Sequence, residues 1–75
     1  MNIGIVGLGL IGGSVAKALM KKGEDRVYVW DKDSDTMKKA TLLNVYHEIL
    51  THDNAKDLDL LVLCLYPGAI ESALL

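Results

Sequence analysis

The sequence predicts an α/β chain built on a parallel sheet, and three observations carry that expectation. Short β-prone runs alternate with amphipathic helical runs along the chain. Such alternation makes strands parallel, joined by right-handed crossovers. Five of the seven glycines fall within the first thirteen residues, between an apolar run and an amphipathic one. The run Leu58 to Tyr66 is apolar except at Asp59, as suits a strand covered on both faces.

The elements follow in order. Asn2 to Val6 reads as a short buried strand. Leu10 to Lys22 reads as a helix, with Ile11, Val15, Ala18 and Leu19 on one stripe. Lys21 and Lys22 suit its C-terminus, and Gly23 can take the left-handed conformation that ends it. Arg26 to Trp30 is rich in β-branched and aromatic residues. Asp33 or Ser34 caps a second helix reaching about Leu43, which Asn44 closes. His47 to Leu50 is a short third strand, and Leu58 to Tyr66 a fourth. Pro67 suits the first turn of another helix carrying Ile70, Ala73 and Leu74. With strand order 3-2-1-4, the link Thr51 to Asp57 must cross three strand spacings, about 14 Å. Seven extended residues reach about 23–25 Å, so the link is tight and has room for one helical turn.

Composition sets bounds. Seventy-five residues make one small domain, and 51% hydrophobic residues supply a core. A net charge of −2 offers no broad basic field. The pairs Lys21–Lys22 and Lys38–Lys39 suit helix surfaces, so nucleic acid is not an expected partner. The single cysteine, Cys64, has no internal partner, which fits a reducing compartment. The N-terminus lacks the basic region of a signal peptide. The longest apolar run, Leu60 to Tyr66, falls well short of the roughly 20 residues that span a bilayer. A cytoplasmic protein with no membrane partner is expected.

The clustered glycines form Gly7-Leu8-Gly9-Leu10-Ile11-Gly12, a G-x-G-x-x-G. It follows a predicted strand and opens a predicted helix. Asp31 stands at the end of the next strand, nineteen positions beyond Gly12. This is the setting of a Rossmann-type dinucleotide-binding fingerprint. Gly7 makes the tight turn, Gly9 lets a pyrophosphate approach the backbone, and Gly12 lets the helix lie close on the strand. The N–H groups around Leu10 and Ile11 face the phosphates at the positive end of the helix. Asp31 accepts hydrogen bonds from the adenosine ribose and repels a 2′-phosphate, which favours NAD over NADP. The adjacent Lys32 softens that preference. Ser14 is a further phosphate-contact candidate; the alternative is a hydroxyl bonded to its own helix. For Asp31 the alternative is a turn or capping residue, and for the glycines a turn that serves packing alone.

Other candidates weigh less. Leu65, Tyr66 and Pro67 end the fourth strand beside the crevice where such sheets bind ligands, as cofactor contacts or as a structural turn. His47 and His52 lack metal-ligand spacing and read as surface or strand-end residues. Cys64 reads as an inert core thiol. Asp57 and Asp59 read as a solvated turn, and Tyr28 and Trp30 as packing residues.

At GIVGLGLIGGSVAKAL the sequence resembles the start of prephenate dehydrogenases and their arogenate-using relatives. The matching features are Gly7 to Ser14, Asp31 and the Leu65-Tyr66-Pro67 turn, and the likeness covers the whole chain. Asn44 departs from it, since relatives tend to end the second helix with glycine. The resemblance implies an NAD-dependent oxidative decarboxylation in tyrosine biosynthesis, with prephenate or arogenate as substrate. It also implies a catalytic histidine in a His-Pro segment, and a helical domain that carries a substrate-binding arginine and forms a homodimer. This sequence contains no His-Pro dipeptide, so the catalytic role does not pass to His47 or His52. The expectation is the front part of a dinucleotide-binding domain, residues 1–75, without the C-terminal helical catalytic and dimerisation domain, and inactive by itself. The alternatives are the same part of another NAD(P)-dependent enzyme, of the pyrroline-5-carboxylate reductase or hydroxyacid dehydrogenase kind, and a non-enzymatic NAD-sensing domain.

Overall fold

The computed structural model describes residues 1–64. Its elements are β1 (Asn2–Val6), α1 (Leu10–Lys22), β2 (Arg26–Trp30), α2 (Ser34–Leu43), β3 (Glu48–Ile49), a single 3₁₀ turn (Ala55–Asp57) and β4 (Leu60–Leu63). The strands form one parallel sheet in the order β3-β2-β1-β4. The first two predicted helices and the first two strands have the expected bounds; the third predicted helix, from Pro67, lies outside the described residues.

Their ends follow local chemistry. Gly23 closes α1 at φ 74°, and its N–H bonds the Leu19 carbonyl. Asn44 closes α2 at φ 54° and ψ 50°. Asparagine tolerates this left-handed geometry better than other non-glycine residues, because its short polar side chain bonds locally. Asp33 is the N-cap of α2, and its carboxylate accepts the Asp35 N–H.

One face of the sheet holds the core. Ile3 and Ile5 of β1 pair with Val27 and Val29 of β2, so their side chains share a face. Ala16 of α1 and Ala40 of α2 pack there, with Leu8 and Val45 completing the cluster. Right-handed crossovers put both helices on this side. Small residues on each helix let the backbones approach the sheet closely.

The opposite face is crossed by residues 50–59. Asn54 organises this link: it accepts the Thr51 N–H at 2.8 Å and donates to the Ile49 carbonyl at 3.0 Å. Leu58 then lies over Gly4 of β1. A Cβ on Gly4 would sit 2.5 Å from Leu58 Cδ1 and 3.3 Å from Leu61 Cδ1. A glycine mid-strand thus makes room for the connection. Asp59 anchors its end by accepting the Asn2 N–H at 2.6 Å, while its own N–H reaches the Asn2 carbonyl. The acidic turn at Asp57 and Asp59 is therefore partly a tie between β4 and β1.

Three expectations need correction. The third strand is two residues long, not four. His47 and Leu50 still donate to the Val27 and Val29 carbonyls, but the chain leaves the ladder on either side to meet α2 and the link. The described part of β4 is Leu60–Leu63, because Leu58 closes the 3₁₀ turn by bonding Ala55. It was expected to be covered on both faces. Among the described residues it is an edge strand, with Leu61 and Leu63 50% and 62% exposed. Finally, Tyr28 is buried as expected, but Trp30 is 44% exposed. Trp30 lines a shallow hollow on the second face with Val6, Leu50 and His52.

Candidate functional site

The site is built where β1 turns into α1. Gly7 has φ 93°, a conformation that side chains rarely adopt, and its N–H extends the sheet by bonding the Trp30 carbonyl at 2.9 Å. Gly9 is the N-cap of α1, and the first helical bond runs from the Gly13 N–H to the Gly9 carbonyl at 2.8 Å. Gly12 faces the turn it helps to enclose. A Cβ there would collide with the Gly7 carbonyl oxygen and would lie 3.3 Å from Cys64 Cβ. Cys64 packs against the core beneath the helix start. The helix thus rests on the strand end with no space for a side chain.

The two helix starts differ in a way that matters for binding. At α2, Asp33 accepts from the Asp35 N–H, and Thr36 Oγ1 donates to it at 3.1 Å. At α1, no side chain caps the N-terminus and no acidic residue stands in the first turn. Among the described residues, the backbone N–H groups of Leu10, Ile11 and Gly12 therefore lie at a positive helix end without a side-chain cap. A diphosphate suits such a place.

Asp31 lies beside this loop, at the end of β2. Its Oδ2 accepts the Leu8 N–H at 2.7 Å, and its Oδ1 accepts the Asp33 N–H at 2.8 Å. The carboxylate is thus tied both to the glycine loop and to the start of α2. An ionised carboxylate offers about four acceptor positions, so these bonds leave capacity for a ribose hydroxyl. Lys32 next to it is exposed. The fold brings Gly7, Leu8, Gly9, Gly12 and Asp31 together, with the backbone of Leu10 and Ile11 between them. Leu65, Tyr66 and Pro67 lie outside the described residues.

A cleft of about 420 Å³ opens from Gly9 and runs between α1 and α2. Ser14, exposed on α1, lines it together with Lys17, Thr36 and Lys39. Sequence reasoning missed the last three. Their signal is helical spacing: Lys17 follows Ser14 by three positions and Lys39 follows Thr36 by three.

The histidines stand elsewhere. His47 Nδ1 accepts the Val27 N–H at 2.9 Å, so this imidazole serves the β2–β3 edge. Among the described residues, no group of three histidine, cysteine or acidic side chains is placed to hold a metal ion. Among the same residues, no helix is long and apolar enough to cross a membrane. The shifted titrations lie at the start of β2, remote from the glycine loop. There Arg26 Nε bonds Glu48 at 3.2 Å, which holds the carboxyl below its usual range and raises the guanidinium above its own.

A parallel sheet in the order 3-2-1-4, a glycine turn into an uncapped helix and an acid closing the second strand define a Rossmann-type dinucleotide-binding domain. The family model described as "NADP oxidoreductase coenzyme F420-dependent" matches residues 2–75, and the chain belongs to that family. It is thus an oxidoreductase domain that binds a nicotinamide dinucleotide. A search of curated proteins finds no match.

Proposed function

We propose that this chain supplies the pyrophosphate and adenosine-ribose subsites of an NAD-dependent oxidoreductase. The observation that carries the reading is the α1 start. Its N–H groups have no side-chain cap, and Gly12 seats the helix against the Gly7 carbonyl where no Cβ fits. The N–H groups of Leu10, Ile11 and Gly12 bind the diphosphate, and Gly9 lets it approach. Asp31 accepts from the ribose hydroxyls. A nicotinamide held by these subsites would supply the hydride chemistry of such an enzyme.

The family description names NADP, while Asp31 argues for NAD. A 2′-phosphate beside the Asp31 carboxylate places like charges together in a partly buried site. Titration calorimetry with each cofactor tests this. NAD is expected to bind at least tenfold more tightly than NADP. Equal or tighter NADP binding rejects the role given to Asp31, and binding of neither rejects the site.

Two substrate readings differ in their support. The family match favours a reductase or dehydrogenase of the pyrroline-5-carboxylate or hydroxyacid kind. The run Gly7 to Ser14 favours prephenate dehydrogenase, acting on prephenate or arogenate as a cytoplasmic homodimer. Turnover of the full gene product decides between them: NAD with prephenate on one side, NADH with pyrroline-5-carboxylate on the other.

A further inference from the structure

We infer that Asp31 is a positioning residue for the glycine-rich loop: its carboxylate holds the Leu8 amide, and with it the Gly7 turn, before any nucleotide arrives. The inference deepens the nucleotide-binding reading and rests on it for its functional meaning.

The geometry shows how one side chain does this. The β1–β2 ladder reaches its last backbone rung at the Gly7 N–H and the Trp30 carbonyl. The next N–H, that of Leu8, meets the Asp31 side chain instead of a carbonyl. The carboxylate therefore extends the ladder by one rung, at the point where the backbone turns through Gly7 at φ 93°. Leu8 is nearly buried, so water is a poor substitute acceptor for its N–H. The second oxygen holds the Asp33 N–H, and Asp33 in turn caps α2. Asp31 thus joins the end of β2, the phosphate loop and the start of α2.

Two consequences follow. First, Asp31 matters to ligands that never touch it, because it sets the loop that presents the α1 N-terminus. Second, it does not rotate aside for a 2′-phosphate without stranding the Leu8 N–H. Discrimination against a phosphorylated ribose is then built into the loop itself.

Amide hydrogen exchange on the nucleotide-free chain tests the positioning role directly. The Leu8 amide is expected to be protected. In Asp31→Ala it is expected to exchange at least tenfold faster, while Ile5 and Val29 in the sheet keep their protection. Should that variant fail to fold, Asp31→Asn retains one acceptor oxygen for two N–H groups, and faster exchange is expected at Leu8 or Asp33. An unprotected Leu8 amide in the wild type, or no change at either amide in the variant, overturns the inference.

Binding separates positioning from ribose contact. The probes are ADP and 2′,3′-dideoxy-ADP, which lacks the hydroxyls Asp31 would accept. Removing a negative charge by itself tightens the binding of an anion. Positioning predicts the opposite sign: dideoxy-ADP bound about tenfold more weakly by the Asp31 variant. Unchanged or tighter dideoxy-ADP binding overturns the inference. If the wild type protects Leu8 yet binds neither nucleotide, the loop contact stands and the nucleotide reading falls.

Discussion

Two adjacent glycines do different work, and the difference is measurable. Gly12 is closely enclosed: an added Cβ runs into the Gly7 backbone carbonyl, and the Cys64 Cβ stands 3.3 Å away. No flexible side chain is there to give way. Gly12→Ala is expected to cost at least about 1–3 kcal/mol by overpacking, and to abolish dinucleotide binding. Gly13 meets only the Leu8 carbonyl oxygen at 3.6 Å, ordinary contact. Gly13→Ala is expected to stabilise α1 by about 0.5–1 kcal/mol through helix propensity. Urea melts of the two variants beside the wild type check both signs.

At the scale of elements, the ends are held by polar groups and the middles by apolar ones. Helix α2 begins at Asp33, which accepts both the Asp35 N–H and the Thr36 hydroxyl. Asp33→Ala is expected to cost about 1 kcal/mol, read as a lower urea midpoint. The short β3 is held to β2 by backbone bonds and by the Arg26–Glu48 pair. Glu48 is depressed in the folded chain by its hydrogen bond to Arg26. Its contribution is therefore complete above the unfolded carboxylate range and is lost as pH falls through the lower folded value. Glu48→Gln is expected to be less stable than the wild type at neutral pH, and the gap is expected to narrow at about pH 3, as Glu48 begins to protonate. Melts at the two pH values test that convergence.

At the scale of the molecule, the described residues cover one face of the sheet more fully than the other. The helix side holds the continuous core of Ile3, Ile5, Val27 and Val29. On the other, the described residues leave Trp30, Leu61 and Leu63 substantially exposed. The glycine loop sits at the junction of β1, β2, α1 and α2, so a ligand that grips it braces all four. NAD at one hundred times its Kd is expected to stabilise the fold by about 2.7 kcal/mol. For a chain this small that raises Tm by more than about 10 °C. NADP at the same concentration is expected to raise it less. Thermal scans with each cofactor supply the comparison.

Most of the elements, the strand order and the proposed phosphate loop were legible in the sequence. Each rests on signals between near neighbours: helical stripes, caps at Asp33, Gly23 and Asn44, a glycine turn at a strand end, and an acid nineteen positions on. Tertiary structure decided what depends on residues far apart in the chain. It placed Leu58 over Gly4, gave the Val27 N–H to His47, left Trp30 exposed, and set Lys17 and Lys39 along one cleft. Above all it gave Asp31 its bond to Leu8, twenty-three residues earlier. A periodic pattern reports which way a side chain faces relative to its own element. Which distant backbone group meets that side chain emerges only when the elements pack.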